Sequence, residues 1–585
     1  MKQHEIAALF IKMADLLEYR GDNPFRIRAY RRAAQNLESF SGDVERLATA
    51  GELTTLSGIG ADLADKITEY LSTGKIAALE RLFQAIPRGV LELLEVPGIG
   101  PKTAKVLTEK LHIASVSQLK EAAKTHRLSQ LPGFQRKKEE NILKAIEIVN
   151  KGRERMHLGI ALPLAQELLT FLEKLPGVSR VSTAGSLRRM KETIGDLDLL
   201  AASTRPEAVM QAFCTSRFCA RVLASGTTKS SIITPDGLQV DLRVVRPESF
   251  GAALQYFTGS KEHNVRLREL AIRQGMKVNE YGVFRASTNK RLAGREEADV
   301  YKALGLAWMP PELREDGGEI EAAKAGTLPT LVEPDDIKGD FHIHSTWSDG
   351  SDALETIARA GAAKGYHYLA MCDHSQSLKV AHGMSVPRLR QQLTAIRAIN
   401  ARAPSCRLLM GAEVDILADG SMDYPDGVLA ELDFVVGSIH SGFTQAEERL
   451  TRRIVTAMQN PYVTLIAHPT GRLMGQREPY PVNFETIFTA ACETGTAIEI
   501  NAYPKRLDLN DAAARQAKDA GVMLAISTDT HSVDQLDNMV FGLGVARRAW
   551  LEPRHVLNCS TRSQLLTWIN RKRQRLGRPR VARAG

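Results

Sequence analysis

Gly185-Ser186-Leu187-Arg188-Arg189-Met190-Lys191-Glu192-Thr193-Ile194-Gly195-Asp196-Leu197-Asp198-Leu199-Leu200 runs from a Gly-Ser turn through paired arginines into an Asp-x-Asp strand. Side chains alternate along a strand, so Asp196 and Asp198 share one face while Leu197 and Leu199 point into a core. A second acidic strand, Leu238-Gln239-Val240-Asp241-Leu242-Arg243-Val244-Val245, sets Asp241 on a polar face with Gln239 and Arg243, backed by Val240, Leu242 and Val244. An isolated Asp-x-Asp is most often a turn or a solvated edge. The Gly-Ser-x-Arg-Arg lead and the second acidic strand reverse that reading. Three carboxylates converging from two strands can hold a pair of Mg²⁺ ions about 4 Å apart, the arrangement used for in-line phosphoryl displacement.

This region resembles the palm of family X DNA polymerases and, more widely, the nucleotidyltransferase fold. The resemblance implies that Asp196 and Asp198 bind both metals (Mg²⁺ or Mn²⁺) and that Asp241 activates the primer 3′-hydroxyl. It also implies that Ser186, Arg189 and the Gly195 backbone hold the triphosphate. Ile194 departs from the pattern, standing where eukaryotic relatives place a triphosphate-contacting serine.

Residues 1–150 read as short helices. One unit recurs among them: Leu56-Ser57-Gly58-Ile59-Gly60, Val96-Pro97-Gly98-Ile99-Gly100 and the degenerate Leu131-Pro132-Gly133-Phe134-Gln135, each followed by a helix. Glycines permit a tight hairpin, and the next helix offers its N-terminus to an anion. We read the unit as helix-hairpin-helix, with Gly58, Gly60, Gly98, Gly100 and Lys102 as DNA-phosphate contacts. Asn23 to Arg32 interleaves four arginines with two aromatics. It resembles the opening of the small N-terminal domain of family X polymerases, which binds the downstream 5′ end in a gap. In that family a Schiff-base lysine follows the first hairpin, and the matching residue is Lys66. Asp62 departs from the pattern, standing where DNA polymerase beta carries a phosphate-holding lysine.

Beyond the palm, Ser225 to Lys229 reads as a hairpin on the site's rim. Gln255-Tyr256-Phe257-Thr258-Gly259-Ser260, then Asn264 and Arg268, resembles the family's nucleotide-selection segment. By that resemblance Tyr256 and Phe257 wall the incoming sugar against a 2′-hydroxyl, Gly259 belongs to the nucleotide-binding set, Asn264 reads the minor-groove edge of the incoming base, and Arg268 reads the templating one. Asp316 to Ile337 is rich in Gly, Ala, Glu and Pro and reads as an interdomain linker with room for a short helix.

From Gly339 onward, strands alternate with amphipathic helices: Gly339–His344, Tyr368–Cys372, Arg407–Val414, Phe434–Ile439, Val463–Ala467, Ala497–Asn501 and Val522–Ser527. Seven β/α units argue for a parallel, barrel-like sheet, with its chemistry at the strand C-terminal ends. His342, His344, Asp349, His374, Glu413, His440, His468, Asp529 and His531 gather there. Mixed His/Asp/Glu sets suit Zn²⁺, Mn²⁺ or Fe, and nine such groups suggest two or three ions. Phe341-His342-Ile343-His344-Ser345, Cys372-Asp373-His374-Ser375 and Ala467-His468-Pro469 resemble the polymerase and histidinol phosphatase (PHP) domain, in which all nine positions are metal ligands. Asn501, Pro504 and Arg506-Leu507-Asp508 resemble the version fused to bacterial family X polymerases.

Hydrophobic content of 43% and charged content of 25% are those of an ordinary soluble protein. The net charge is +9, but seven of those positives lie in the tail from Arg571 to Arg583, so basicity points to nucleic acid only through local patches. There is no apolar run long enough to span a membrane and no signal peptide, and six scattered cysteines form no disulfide or zinc framework. A cytoplasmic, nucleoid-associated protein fits.

The fold expected is multidomain, α+β and α/β. Residues 1–88 form an N-terminal lyase-like helical DNA-binding domain, 89–150 a second helix-hairpin-helix subdomain and 151–258 the nucleotidyltransferase palm. Residues 259–317 form the nucleotide-selection (thumb) subdomain, 318–337 a linker, 338–570 a (β/α)7-type PHP barrel and 571–585 a basic tail. The function expected is gap-filling DNA polymerisation in base-excision or end repair, joined to a metal-dependent 3′–5′ exonuclease. Apurinic-site endonuclease and 3′-phosphatase remain open as the barrel's reaction. Partners are gapped or nicked double-stranded DNA and deoxynucleoside triphosphates, bound by a monomer. Two rivals stand beside this: a DNA-binding polymerase whose barrel is purely structural, and a template-independent end-adding transferase.

Overall fold

The computed structural model describes residues 2–39, 44–56, 58–87, 89–94, 96, 99–128, 139, 142–143, 155–474 and 477–577. Gly98, the degenerate hairpin at 131–135 and the tail beyond 577 lie outside the described residues. Chain contacts define two units, Met1–Arg155 with Asp236–Leu238, and Met156–Pro235 with Gln239–Gly585.

The first unit is helical. Helices Lys2–Arg20 and Pro24–Ser39 pack through Phe10 and Tyr30, whose rings meet edge-on at 5.4 Å. Two later helices, Ala61–Thr73 and Pro101–Leu111, start at Gly60 and Gly100, neither of which supplies a side-chain cap. Neither glycine therefore caps the amides of the first turn, which in the second helix begin at Lys102 because Pro101 carries no N–H. Gly58 has φ +77°, a conformation that admits glycine at little cost, and it turns the first hairpin.

In the second unit the palm is a five-stranded sheet in the order Val178–Thr183, Leu197–Ser203, Gln239–Val245, Lys229–Ile233, Arg221–Ser225. Leu197–Ser203 and Gln239–Val245 are parallel, with Asp198 directly opposite Asp241. Leu197, Leu199, Val240, Leu242 and Val244 are buried behind them, as the alternation requires. Gly226 N donates to Lys229 O and closes the expected hairpin. Helices Phe250–Thr258, Lys261–Arg273 and Glu297–Ala303 and a three-stranded antiparallel sheet form the next layer.

The stretch read as a linker is packed. It carries the helix Glu319–Ala325, whose Ile320 and Ala323 join the core around Leu267, Val300 and Tyr301. Glu319 Oε1 meets buried His263 Nδ1 at 2.6 Å, so composition alone misleads where alanines and one glutamate serve a core.

The barrel has seven parallel strands, Gly339–Ile343, Tyr368–Met371, Arg407–Leu409 continued as Gly411–Asp415, Phe434–Ser438, Val463–Ile466, Ala497–Asn501 and Leu524–Ser527. The third breaks at Met410, whose carbonyl turns to accept from Asp433 N and Phe434 N. First and last strands meet directly beyond their C-terminal ends, where His344 N donates to Thr530 O and Thr530 N to His342 O. Lower down they meet through a side chain: Asn558 Nδ2 donates to Gly339 O and Ile526 O, and its Oδ1 accepts from Ile526 N. Phe341 and Phe434 stack at 4.9 Å in the core beneath the strand C-terminal ends.

The basic tail begins as structure. Arg571 to Arg575 complete the helix Arg562–Arg575, and Lys572 and Arg573 are buried. Lys572 Nζ donates to Met458 O and Thr496 Oγ1, and Arg573 donates to Leu432 O. These two cations satisfy carbonyls of the barrel and are not free for a polyanion. Burial, with Arg575 adding, pushes Lys572 down to about 7.

Candidate active sites: a carboxylate palm and an imidazole barrel

The palm site forms where Asp198 and Asp241 sit side by side and Asp196 lies exposed one residue before its strand. Burial first, then the charges of Asp196 and Asp241, pushes the Asp198 carboxyl up to about 7. Three acids crowd one another strongly enough that a cation is the natural complement. Gly185 has φ +57°, and a Cβ there would lie 2.1 Å from Asp198 Oδ2. Only glycine lets the Gly-Ser turn approach the carboxylate that closely.

Asp241 is treated differently. Burial opposes its ionisation, but hydrogen bonds from Lys229, Gln239 and Ser231 outweigh burial and hold it below the usual carboxylate range. Lys229 Nζ lies 2.7 Å from Asp241 Oδ2 and Gln239 Nε2 lies 2.9 Å from Oδ1. Reading the motifs alone missed Lys229 as a partner, although its place at the end of a rim hairpin was the available signal.

The remaining expected nucleotide contacts divide. Tyr256 and Phe257 meet edge-on at 5.1 Å, and Arg243 stacks over Phe257 at 4.1 Å. Ser186 lies in the turn beside Gly185, and Gly195 lies just before Asp196. Arg189 is engaged with other partners, with Nε on Glu315 Oε1 at 2.9 Å and Nη1 on Thr258 O at 2.5 Å. Asn264 donates to Tyr256 O at 2.6 Å and accepts from Gln255 at 2.8 Å. Both side chains thus satisfy carbonyls in the last turn of Phe250–Thr258, groups that a helix end leaves without partners. Gly259 packs against Arg189, and Arg268 is half-buried one turn beyond Asn264. Arg188 forks onto Glu297 at 2.6 and 2.8 Å, where fully buried Arg314 also binds.

The barrel brings its nine expected residues together at one end. Among the described residues, three groups have ligand atoms within 4.8 Å of one another: His344, Asp349, His374 and His531; His342, His344 and Asp529; and His374, Glu413 and His440. His344 and His374 are shared between groups. His468 joins through Nε2, 3.1 Å from Glu413 Oε1. His342 Nε2, both ring nitrogens of His344 and His468 Nδ1 are buried without a hydrogen-bond partner, and His374 Nδ1 lies 2.8 Å from Glu413 Oε2. Unpartnered buried imidazole nitrogens gathered with carboxylates make a donor set of the kind metal ions take, so these residues fit metal ions. Burial, with His374 adding, drives His344 down to about 3. Against burial, Glu413 and Asp349 raise His374 to about 10. Neighbouring imidazoles are thus pulled in opposite directions.

Supporting residues went unread in the sequence. Glu499 Oε1 holds His342 Nδ1 at 2.8 Å, and Asp415 Oδ1 holds His440 Nδ1 at 2.6 Å. Their signal was period two: Glu499 precedes Asn501, and Asp415 follows Glu413, by two residues. In the helical unit, Lys66 is buried with Nζ 2.5 Å from Asp62 Oδ1, while Lys102 is exposed on the first turn of Pro101–Leu111.

Comparison with known proteins accords with this geometry. Residues 1–76 match a helix-hairpin-helix domain family, 90–147 a SAM-like helix-hairpin-helix tandem, 253–315 the DNA polymerase beta thumb and 340–502 the PHP domain. The DNA polymerase/3′–5′ exonuclease PolX of Bacillus subtilis (strain 168) is 40% identical over 573 residues, 98% of this chain and 100% of that protein. A "Probable phosphatase" of Thermoanaerobacter sp. (strain X514) is 29% identical across 41% of this chain and 96% of its own length. DNA polymerase lambda of Arabidopsis thaliana is 28% identical across 53% of this chain and 61% of its own.

Proposed function

The chain belongs to the family X DNA polymerases that carry a C-terminal PHP domain, and from that premise we infer a DNA-directed DNA polymerase joined to a 3′–5′ exonuclease. Both halves are metal-dependent chemistries acting on DNA and nucleotides. One observation carries the division of labour: a single folded unit holds an all-carboxylate centre and a separate imidazole-rich one.

In the palm, Asp196, Asp198 and Asp241 hold Mg²⁺ or Mn²⁺, and Asp241 takes the proton of the primer 3′-hydroxyl. Ser186 and the Gly195 amide hold the triphosphate. Arg189 joins them after leaving Glu315. Tyr256, Phe257 and Gly259 wall the sugar, while Asn264 and Arg268 face the base pair. In the barrel, His342, His344, Asp349, His374, Glu413, His440, His468, Asp529 and His531 hold two or three Zn²⁺, Mn²⁺ or Fe ions. Bound there, such ions supply an ionised water and a counter-charge for phosphate. The first-turn amides that begin at Ala61 and at Lys102, with Gly58, Gly60, Gly98, Gly100 and the Lys102 ammonium, grip backbone phosphates of gapped or nicked DNA without reading sequence. The substrate is a short gap in repair, bound by a monomer in the cytoplasm. Lys66 is the candidate Schiff-base amine for removing a 5′-deoxyribose phosphate, once it leaves Asp62. Borohydride trapping that Lys66→Ala does not abolish removes that role.

The test uses one end-labelled gapped substrate. Extension should be lost in Asp196→Ala with Asp198→Ala while degradation persists. The reverse should hold for His342→Ala and Asp529→Ala, which should also lose bound transition metal by mass spectrometry. Degradation that survives in the barrel variants and dies in the palm variant would make the palm the nuclease and the barrel a structural metal domain.

A further inference from the structure

Within the second unit, the loop Tyr503–Leu509 between the last two barrel strands is held from two sides. On the barrel side, Arg506 Nε lies 3.3 Å from Asp529 Oδ2, and Thr470 N and Oγ1 each donate to Asp508 Oδ2 at 2.9 Å. On the palm side, Glu192 receives Arg472 Nη2 at 2.7 Å. The same guanidinium donates from Nε to Arg506 O at 2.7 Å and from Nη2 to Leu507 O. Glu192 O also accepts from Leu158 N at 3.0 Å, and a Cβ on the next residue, Gly159, would lie 2.3 Å from Pro504. Arg506 Nη1 is buried with no hydrogen-bond partner.

We propose that Glu192, a palm residue four positions before Asp196, is a positioning residue for the barrel's nuclease. Through Arg472 it fixes the backbone of Arg506 and Leu507, and so aims the spare Nη1 of Arg506 at a non-bridging oxygen of the scissile phosphodiester. A guanidinium with one donor committed to Asp529 and another unspent is suited to a phosphate held next to that carboxylate. Arg472 is needed because four oxygens, both of the Glu192 carboxylate and two carbonyls, converge where one planar fork can serve them together. The polymerase half therefore completes the nuclease site. This rests on the reading of the barrel as the nuclease.

The test is a double-mutant cycle on the full chain. Glu192→Ala and Arg506→Ala should each lower the 3′–5′ exonuclease kcat, by about tenfold to a hundredfold if the guanidinium shifts by the order of 1 Å. The double variant should be no worse than Arg506→Ala alone, because Glu192 acts through Arg506. Glu192→Asp, which keeps the charge, should recover part of the loss. Hydrogen exchange, read without any substrate, should accelerate at the Arg506 and Leu507 amides in Glu192→Ala. Extension by Arg472→Gln should persist, which separates positioning from global damage. Additive losses in the cycle, or unchanged exchange in the loop, would overturn the proposal. His342→Ala serves as the control. If it degrades DNA like the parent, the barrel reading fails; if it does not and Glu192→Ala still matches the parent, this inference alone fails.

Discussion

Lys229 Nζ and Asp241 Oδ2 lie 2.7 Å apart, so an ammonium on the rim hairpin stands beside the carboxylate proposed to deprotonate the primer. The lysine side chain is 42% exposed, and pairs of that kind are worth up to about 1 kcal/mol. A divalent cation arriving at Asp241 must compete with it. We predict that Lys229→Met lowers the half-saturating Mg²⁺ for extension by about two- to fivefold, the equivalent of that energy. An unchanged or higher requirement would show that the lysine does not compete at this carboxylate.

Gly185 is where the palm tolerates no side chain. Its φ of +57° and the 2.1 Å overlap of any Cβ with Asp198 Oδ2 act together. Gly185→Ala should displace the carboxylate and cut extension by at least about a hundredfold, with exonuclease preserved. Single-turnover extension on gapped DNA measures it, and a rate near that of the parent would rule the close approach out as a requirement.

Glu499 orients His342 and stands outside the nine ligands. Replacing such an outer partner weakens metal binding about 10- to 100-fold. Glu499→Gln should therefore retain less transition metal after dialysis against a chelator, and its exonuclease should recover on metal addition. Parental metal retention would remove Glu499 from the site's support.

Glu297 sets an acid limit on stability. Burial opposes its ionisation, but Arg188 and Arg314 outweigh burial and hold the carboxyl far below its ordinary value. The unfolded chain then binds the extra proton. The contribution is complete above the unfolded value of about 4.3 and declines as pH falls from there toward the folded value. Glu297→Gln strands two guanidiniums, one of them fully buried, and should cost roughly 3 kcal/mol at pH 7. Denaturant titrations should show the gap between parent and variant narrowing below about pH 4. A gap independent of pH would mean that packing, and not charge, is at stake.

The parts legible in the sequence were those set by local period. Alternation along one strand predicts that Asp196 and Asp198 share a face, and the buried leucines between and after them follow from it. Ligands at successive strand ends fall together because a parallel barrel puts those ends on one rim. What stayed hidden depends on partners far along the chain. Glu499 is 157 residues from His342, and Glu192 is 280 from Arg472. Neither stands in a pattern that names its partner. Arg189 and Asn264 read as nucleotide contacts, yet here they serve carbonyls of one helix end, a need created only by tertiary structure. Lys572 and Arg573 read as free basic charge because composition cannot see that their helix docks on the barrel.

Asn558 gives the molecule a direction in time. It helps close the barrel by bridging Gly339 and Ile526, and it lies 219 residues beyond the first of them. His342 and His344 belong to one side of that closure, Asp529 and His531 to the other. A chain emerging from the ribosome N-terminus first presents the palm acids long before Asn558 leaves the exit tunnel. The imidazole cluster cannot be complete until Asp529 and His531 have followed, well after the palm acids. Nascent chains stalled ahead of residue 529 should therefore lack the degrading activity, because Asp529 and His531 are missing from the cluster.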